Sequence, residues 1–223
     1  MLKQQLRNKY LKERLALTEG EVEEKSLMIT NRVLHLAEVK RARNVCLYLP
    51  TKNEVDTKKI INHLISEGKK VFLPANARQA NTRGVGSDSP GVSKVSMGYA
   101  FAEFTGWQNL EKGPFGILQP IHNRGNKPGL ELHYKPGLRN SFEENIDLAI
   151  IPGVAFDKHG VRLGYGKGVF DKLLADSKAF KIGLAYDFQI VDELPREKHD
   201  LVMDFVVTES RVIRPTTILW NPF

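Results

Sequence analysis

Apolar residues recur at Leu2, Leu6 and Tyr10, with Leu11 and Leu15 alongside, and this spacing of three and four predicts a helix at the start of the chain. Thr18 followed by Glu21 reads as a capping box opening a second helix, with Val22, Ile29, Val33 and Leu36 on one face. The run from Val45 to Leu49 is then continuously apolar and stops at Pro50, the pattern of a short buried strand. Asp56 reads as the N-cap of a helix carrying Ile60, Ile61, Leu64 and Ile65, and Gly68 as the residue closing it. Lys70 to Leu73 supplies a second strand, so strand, helix and strand form a βαβ unit with parallel strands.

Between Ala75 and Asn145 the periodicity fades into Gly, Pro, Ser and Asn, and the stretches 78–96 and 123–140 read as long surface loops or insertions. Order returns at Ile146 to Ile151, apolar enough for a strand covered on both faces. A glycine-rich loop follows, then a helix near Gly168 to Ala175 and strands near Lys181 to Ala185 and Asp204 to Thr208. Alternating strands and helices predict an α/β fold with a mainly parallel sheet. At 223 residues the chain is expected to be a single domain, with the first 40 residues as an N-terminal helical segment.

Composition narrows the class. No apolar run reaches 18 residues and the start of the chain is charged at short intervals, so neither a membrane span nor a secretory leader is expected, and a cytoplasmic location is. The lone cysteine, Cys46, excludes an internal disulfide and sits in an apolar stretch that suits a buried structural thiol. A formal charge of +7 calls for anionic partners. The basic residues are scattered, and neither an RNP-type aromatic signature nor zinc-ligand spacing appears, so nucleic acid is not the expected partner.

The chemistry concentrates in Arg162-Leu163-Gly164-Tyr165-Gly166-Lys167-Gly168-Val169-Phe170-Asp171. Alternate glycines let backbone N–H groups approach an anion, Lys167 adds a mobile charge and Arg162 a fixed one at the edge. The spacing is neither GxxxxGK[ST] nor GxGxxG, and a glycine-rich turn taken alone is commonly plain turn chemistry.

The wider stretch from Asp147 to Asp171, including Ile151-Pro-Gly-Val-Ala-Phe-Asp157, closely resembles the signature region of the 5-formyltetrahydrofolate cyclo-ligase family. Further resemblance lies in order at Lys3 to Arg7, Tyr48-Leu49-Pro50 with Asn53 to Thr57, Gly68 to Pro74, Gly116 to Pro120, Gly183 to Gln189 and Pro195 to Asp200. The resemblance implies a three-layer α/β/α fold and an ATP- and Mg²⁺-dependent closure of 5-formyltetrahydrofolate to 5,10-methenyltetrahydrofolate by a monomer, with a polyglutamate tail on the folate a fit for the basic charge. It implies an ATP site at Lys3, Gln4, Gln5, Leu6 and Arg7 together with Arg162, Leu163, Gly164, Tyr165, Gly166, Lys167, Gly168, Val169 and Phe170. Arg7, Leu49, Glu54 and Tyr165 to Val169 would contact the folate, Asp171 and Asp200 the metal, while Lys167 and Arg162 would act on the transferring phosphoryl group.

Each residue also has a plainer reading. Lys3 and Arg7 are spaced as a solvated helix face, Asp171 suits a helix start, Asp200 a surface turn and Glu54 a loop. His159 and His199 adjoin motif residues, but a lone histidine is more often structural. Val169-Phe170 stands where the family usually carries two aromatics, often a tyrosine pair, which removes a phenolic hydroxyl. The alternative reading is a catalytically reduced paralogue that binds nucleotide or RNA as a regulator.

Overall fold

The computed structural model describes residues 2–77, 98–113, 116–121, 146–197 and 200–215. The expected insertions 78–96 and 123–140 lie outside the described residues, as does His199.

Helix α1 (Lys3–Leu15) is followed by α2 (Glu19–His35), and a five-residue α3 (Ala37–Arg41) completes an N-terminal helical segment with one more helix than the spacing predicts. The Thr18 cap forms as expected: its hydroxyl accepts from Glu21 N, and the Glu21 carboxylate accepts from Thr18 N. On α2, Ile29 and Val33 are fully buried, together with Ser26 and Thr30. On α1 the expected face shifts. Leu15 is 56% exposed, whereas Arg14, which continues the spacing of four from Tyr10, is 1% exposed.

Strand β1 (Asn44–Cys46) leads through a loop to α4 (Lys58–Ser66) and β2 (Lys70–Ala77), the parallel βαβ unit read from the pattern. Regular strand ends at Cys46 rather than Leu49, although Leu47 N still donates to Phe72 O and every residue from Val45 to Leu49 is buried. The N-cap of α4 is Thr57, not Asp56. Asp56 still receives Lys58 N, whereas the Thr57 hydroxyl donates to Tyr48 O and so ties the helix start to the strand's exit. Gly68, at φ 72°, closes α4 with Gly68 N on Ile65 O and Lys69 N on Leu64 O, a left-handed turn that glycine makes without a Cβ penalty.

The weakly periodic region contains β3 (Gly98–Glu103), paired antiparallel with β2 from Phe72 to Ala77, and the small antiparallel pair of β4 (Leu110–Lys112) and β5 (Leu118–Pro120). The chain then runs through β6 (Leu148–Pro152), β7 (Ala155–Asp157), β8 (Arg162–Leu163), the five-residue α5 (Val169–Leu173), β9 (Phe180–Leu184), β10 (Ile190–Val191), β11 (Phe205–Val207) and β12 (Val212–Ile213).

The main sheet has the order β12-β11-β9-β6-β1-β2-β3. Its inner pairings are parallel and only the two edge strands are antiparallel, so the fold is α/β with a mainly parallel sheet. Leu148, Ala149, Ile150 and Ile151 are fully buried, as expected of a central strand covered on both faces. Cys46 lies on neighbouring β1 with no exposure, and burial pushes its thiol well above the ordinary range. Among the described residues no helix is long and apolar enough to cross a membrane.

The chain leaves β1 toward β2 on one side of the sheet and leaves β6 toward β9 on the other. The β1–β6 boundary is therefore a topological switch point, where the connections after the two strands diverge at the carboxyl edge, the place where such sheets commonly bind ligands.

Candidate active site

The loop after β1 leaves this edge on a constrained backbone. Lys52 and Asn53 both take positive φ, 52° and 56°, which is uncommon for residues other than glycine. The Asn53 amide offsets part of that cost by donating to Arg14 O and Leu17 O at the end of α1. The turn buries the next residue: Glu54 is 5% exposed, and its Oε2 accepts from Thr51 N at 2.9 Å and from the Thr51 hydroxyl at 3.2 Å.

Opposite stands the glycine loop. Tyr165 donates its hydroxyl to Glu54 Oε1 at 3.0 Å, joining residues 111 positions apart. Arg14 completes the group. Its Nη2 donates to the Tyr165 hydroxyl, its Nε to Lys52 O at 3.0 Å and its Nη1 to Gly153 O at 3.1 Å, and Nη1 lies 4.0 Å from Glu54 Oε1. Burial raises the pKa of Glu54 above its ordinary value, against the opposing pull of Arg14 and the hydrogen bonds from Thr51 and Tyr165. Burial likewise pushes the Tyr165 hydroxyl up to about 12, with Glu54 acting in the same direction. Sequence reasoning missed Arg14. The signal available was its place four residues beyond Tyr10 in the stripe begun by Leu2 and Leu6.

Gly166 and Gly168 have φ of 91° and 62°, conformations that only glycine adopts freely, and they hold Lys167 exposed between them. Gly168 is the left-handed N-cap of α5. Five residues make that helix too short to supply a strong dipole, so an anion bound here would rely on backbone N–H groups and side-chain cations. Arg7 reaches the loop from α1: its Nε donates to Gly164 O at 2.9 Å, and a Cβ on Gly166 would lie 3.5 Å from its guanidinium carbon.

Arg162 and Asp171 form a close pair, with Arg162 Nη2 at 2.7 Å from both carboxylate oxygens and the side chains 7% and 19% exposed. Arg162 Nη1 also donates to Pro152 O, whereas its buried Nε has no hydrogen-bond partner among the described residues. Asp171 further receives Leu201 N, which brings it next to the segment carrying Asp200. Asp200 accepts from Lys3 Nζ at 2.8 Å and from Glu197 N at 2.8 Å. Burial draws the Lys3 pKa down, but bonding and charge from Asp200 and Glu197 outweigh it and raise the value.

Two carboxylates backed by cations offer the oxygen donors that a hard divalent ion accepts. Among the described residues no cluster of three or more His, Cys, Asp or Glu gathers, so a cation here would complete its shell with phosphate and water, as Mg²⁺ commonly does. The donor set fits that ion, with the condition that Asp171 shares or releases Arg162.

The remaining expected residues separate. Leu49 and Leu163 are buried in apolar clusters, and Phe170 packs 6.5 Å from the Phe101 ring, which makes it a core aromatic. Val169 is half-buried against the same core. Leu6 packs with Tyr10 on the inner face of α1, whereas Gln4 and Gln5 are exposed and bond locally to Asn8 and Leu2 N.

A model of the 5-formyltetrahydrofolate cyclo-ligase family matches residues 1–209. The chain is 31% identical over 207 residues to a protein of Schizosaccharomyces pombe named probable 5-formyltetrahydrofolate cyclo-ligase, covering 86% of this chain and 88% of that one. It is 30% identical over 203 residues to the 5-formyltetrahydrofolate cyclo-ligase of Haemophilus influenzae, covering 89% and 93%. Among solved structures, the 5,10-methenyltetrahydrofolate synthetase of Aquifex aeolicus superposes with a TM-score of 0.72 at 32% identity, covering 100% of this chain and 95% of that one.

Proposed function

The chain belongs to the 5-formyltetrahydrofolate cyclo-ligase family, and from that premise we propose that it closes 5-formyltetrahydrofolate to 5,10-methenyltetrahydrofolate with consumption of ATP. The observation that carries the reading is the hydrogen bond between Tyr165 and Glu54 at the switch point, which joins the phosphate-type glycine loop to a buried carboxylate suited to a reduced pterin. A nucleotide binder without a folate substrate has no need of that second half.

The formyl group on N5 is amide-like, and its oxygen cannot leave unaided. Attack of that oxygen on the γ-phosphorus expels ADP and leaves an activated carbon. N10 of the same molecule then attacks it, and phosphate departs with the former formyl oxygen as N10 gives up its proton. Nucleophile and electrophile share one substrate, so the protein's task is positioning and charge neutralisation. In this reading Lys167 meets the transferring phosphoryl group, Arg7 and the backbone of Gly164 to Gly168 hold the nucleotide, and Arg162 orients Asp171. Mg²⁺, held by Asp171 and Asp200, would offset charge on the phosphates. Glu54 accepts hydrogen bonds from the pterin ring: three of the roughly four acceptor sites of a carboxylate are taken by Thr51 and Tyr165, which leaves capacity for an incoming N–H.

The test is incubation with 5-formyltetrahydrofolate, ATP and Mg²⁺, following the near-ultraviolet absorbance of the conjugated product. Product is expected only with all three present, and equal turnover without ATP would refute the reading. Salt-dependent RNA binding with no turnover would favour the regulatory paralogue instead.

A further inference from the structure

An arginine that is 1% exposed is costly to keep, because its charge has left water. Arg14 has no place among the nucleotide, folate or metal residues assigned above, yet each of its contacts ends on a different part of the site. Lys52 O belongs to the loop after β1, Gly153 O to the loop after β6, and the Tyr165 hydroxyl to the glycine loop. The guanidinium carbon also lies 5.4 Å from the centre of the Tyr165 ring, with Lys52 Nζ at 5.5 Å from the same centre.

We propose that Arg14 is a positioning residue that, through the Tyr165 hydroxyl, makes nucleotide binding at the glycine loop and folate binding at Glu54 mutually favourable. The argument follows the hydrogen-bond chain. The Tyr165 hydroxyl has one proton, given to Glu54, and its lone pair receives Arg14, so the phenol is tied to both groups. A nucleotide that stills Gly164 to Gly168 stills Tyr165 as well, and Glu54 then meets the pterin with one oxygen already oriented. The ordering cost is met by whichever ligand arrives first, which is positive coupling without a change of shape. Coupling of this kind is reciprocal and commonly spans about 5- to 150-fold in affinity. The inference rests on the folate-ligase reading and deepens it.

The test measures the dissociation constant of 5-formyltetrahydrofolate with and without a non-hydrolysable ATP analogue and Mg²⁺, and that of the analogue with and without the folate. Wild-type protein should show each ligand tightening the other by at least about fivefold. Tyr165→Phe, which keeps the ring and removes the hydroxyl, should bring the factor close to one. Arg14→Lys, which keeps the charge and loses the fork of donors, should do the same. Should Arg14→Lys fail to fold, Tyr165→Phe alone decides. A wild-type factor of one, or a factor unchanged in the variants, overturns the proposal, and a purely structural Arg14 would lower the unfolding midpoint while leaving the factor intact. Wild-type protein that binds the nucleotide analogue but neither binds nor turns over the folate would instead refute the functional reading, and this proposal with it.

Discussion

Replacing Glu54 by glutamine separates what this carboxylate does for folding from what it does for binding. Arg14 Nη1 stands 4.0 Å from Glu54 Oε1, a distance at which unit charges gain about 4 kcal/mol at an effective dielectric near 20. Removing such a pair from water costs several kcal/mol per ion, so gain and cost are of similar size. The direction of the pKa decides between them. Burial raises Glu54 despite Arg14, Thr51 and Tyr165, so the folded site favours the charged carboxylate less than water does. The folded value lies above the ordinary 4.5, hence the stability this group contributes is fully present below 4.5 and is lost as pH rises through the raised value.

Glutamine keeps the shape and removes the buried charge, although it deprives Arg14 of its counter-charge. Glu54→Gln is therefore expected to stay within about 2 kcal/mol of wild-type stability near pH 7.5. Its advantage over wild type should grow with pH above 4.5, as read by urea unfolding across a pH series. Folate binding should behave differently. Losing one charge-assisted contact costs about 1.5–3 kcal/mol, which is about 10- to 150-fold in the dissociation constant, whereas ATP titrated alone should bind nearly as before. Loss of nucleotide affinity with folate affinity intact would refute the placement of Glu54 on the folate side. A collapse of stability at every pH would refute the argument from burial.

Lys167→Ala should lower turnover by about 10²-fold or more with a much smaller effect on the unfolding midpoint, because in the proposed reading the exposed lysine meets the transferring phosphoryl group; near-normal turnover would remove it from the mechanism. Asp171→Asn and Asp200→Asn should each raise the Mg²⁺ concentration needed for half activity. Asp171→Asn should also cost clear stability, since it weakens the close pair with Arg162, whose side chain is 7% exposed. An unchanged metal requirement in both would return them to structural roles. The fully buried Cys46 thiol should resist alkylation in native protein and react in urea, and rapid native labelling would contradict its place in the sheet.

What was legible in the sequence follows the length and locality of each signal. The buried β6 strand announced itself through an unbroken apolar run, and the Thr18 box and the Gly68 cap are satisfied by residues three or four positions away. Strands β7, β8, β10 and β12 hold two or three residues, too few for a period-two pattern. Strand β3 is held by its antiparallel register with β2, whose consequence is visible only once both strands are placed. Asp56 and Thr57 show how a cap can shift by one residue: both carry suitable oxygens, and the choice is made by Tyr48 O, which takes the threonine hydroxyl.

Arg14 was illegible for a sharper reason. Periodicity rules treat a charged residue on an apolar stripe as pointing outward and pass to the neighbouring Leu15, yet the stripe of four continues through the arginine. What reverses the rule is tertiary: two carbonyls, a phenol and a carboxylate, from loops far apart in the chain, satisfy a charge that no local pattern can be seen to satisfy. The same condition bears on how specific the site can be. A glycine loop with one lysine admits many phosphates, and a loop carboxylate admits many donors. The parallel register of Val45 with Leu148 brings their loops to one edge of the sheet, and only there does each narrow the other. In the proposed reading the phosphate of one substrate and the hydrogen-bond donors of the other must meet there together, which restricts the choice more than either motif read alone.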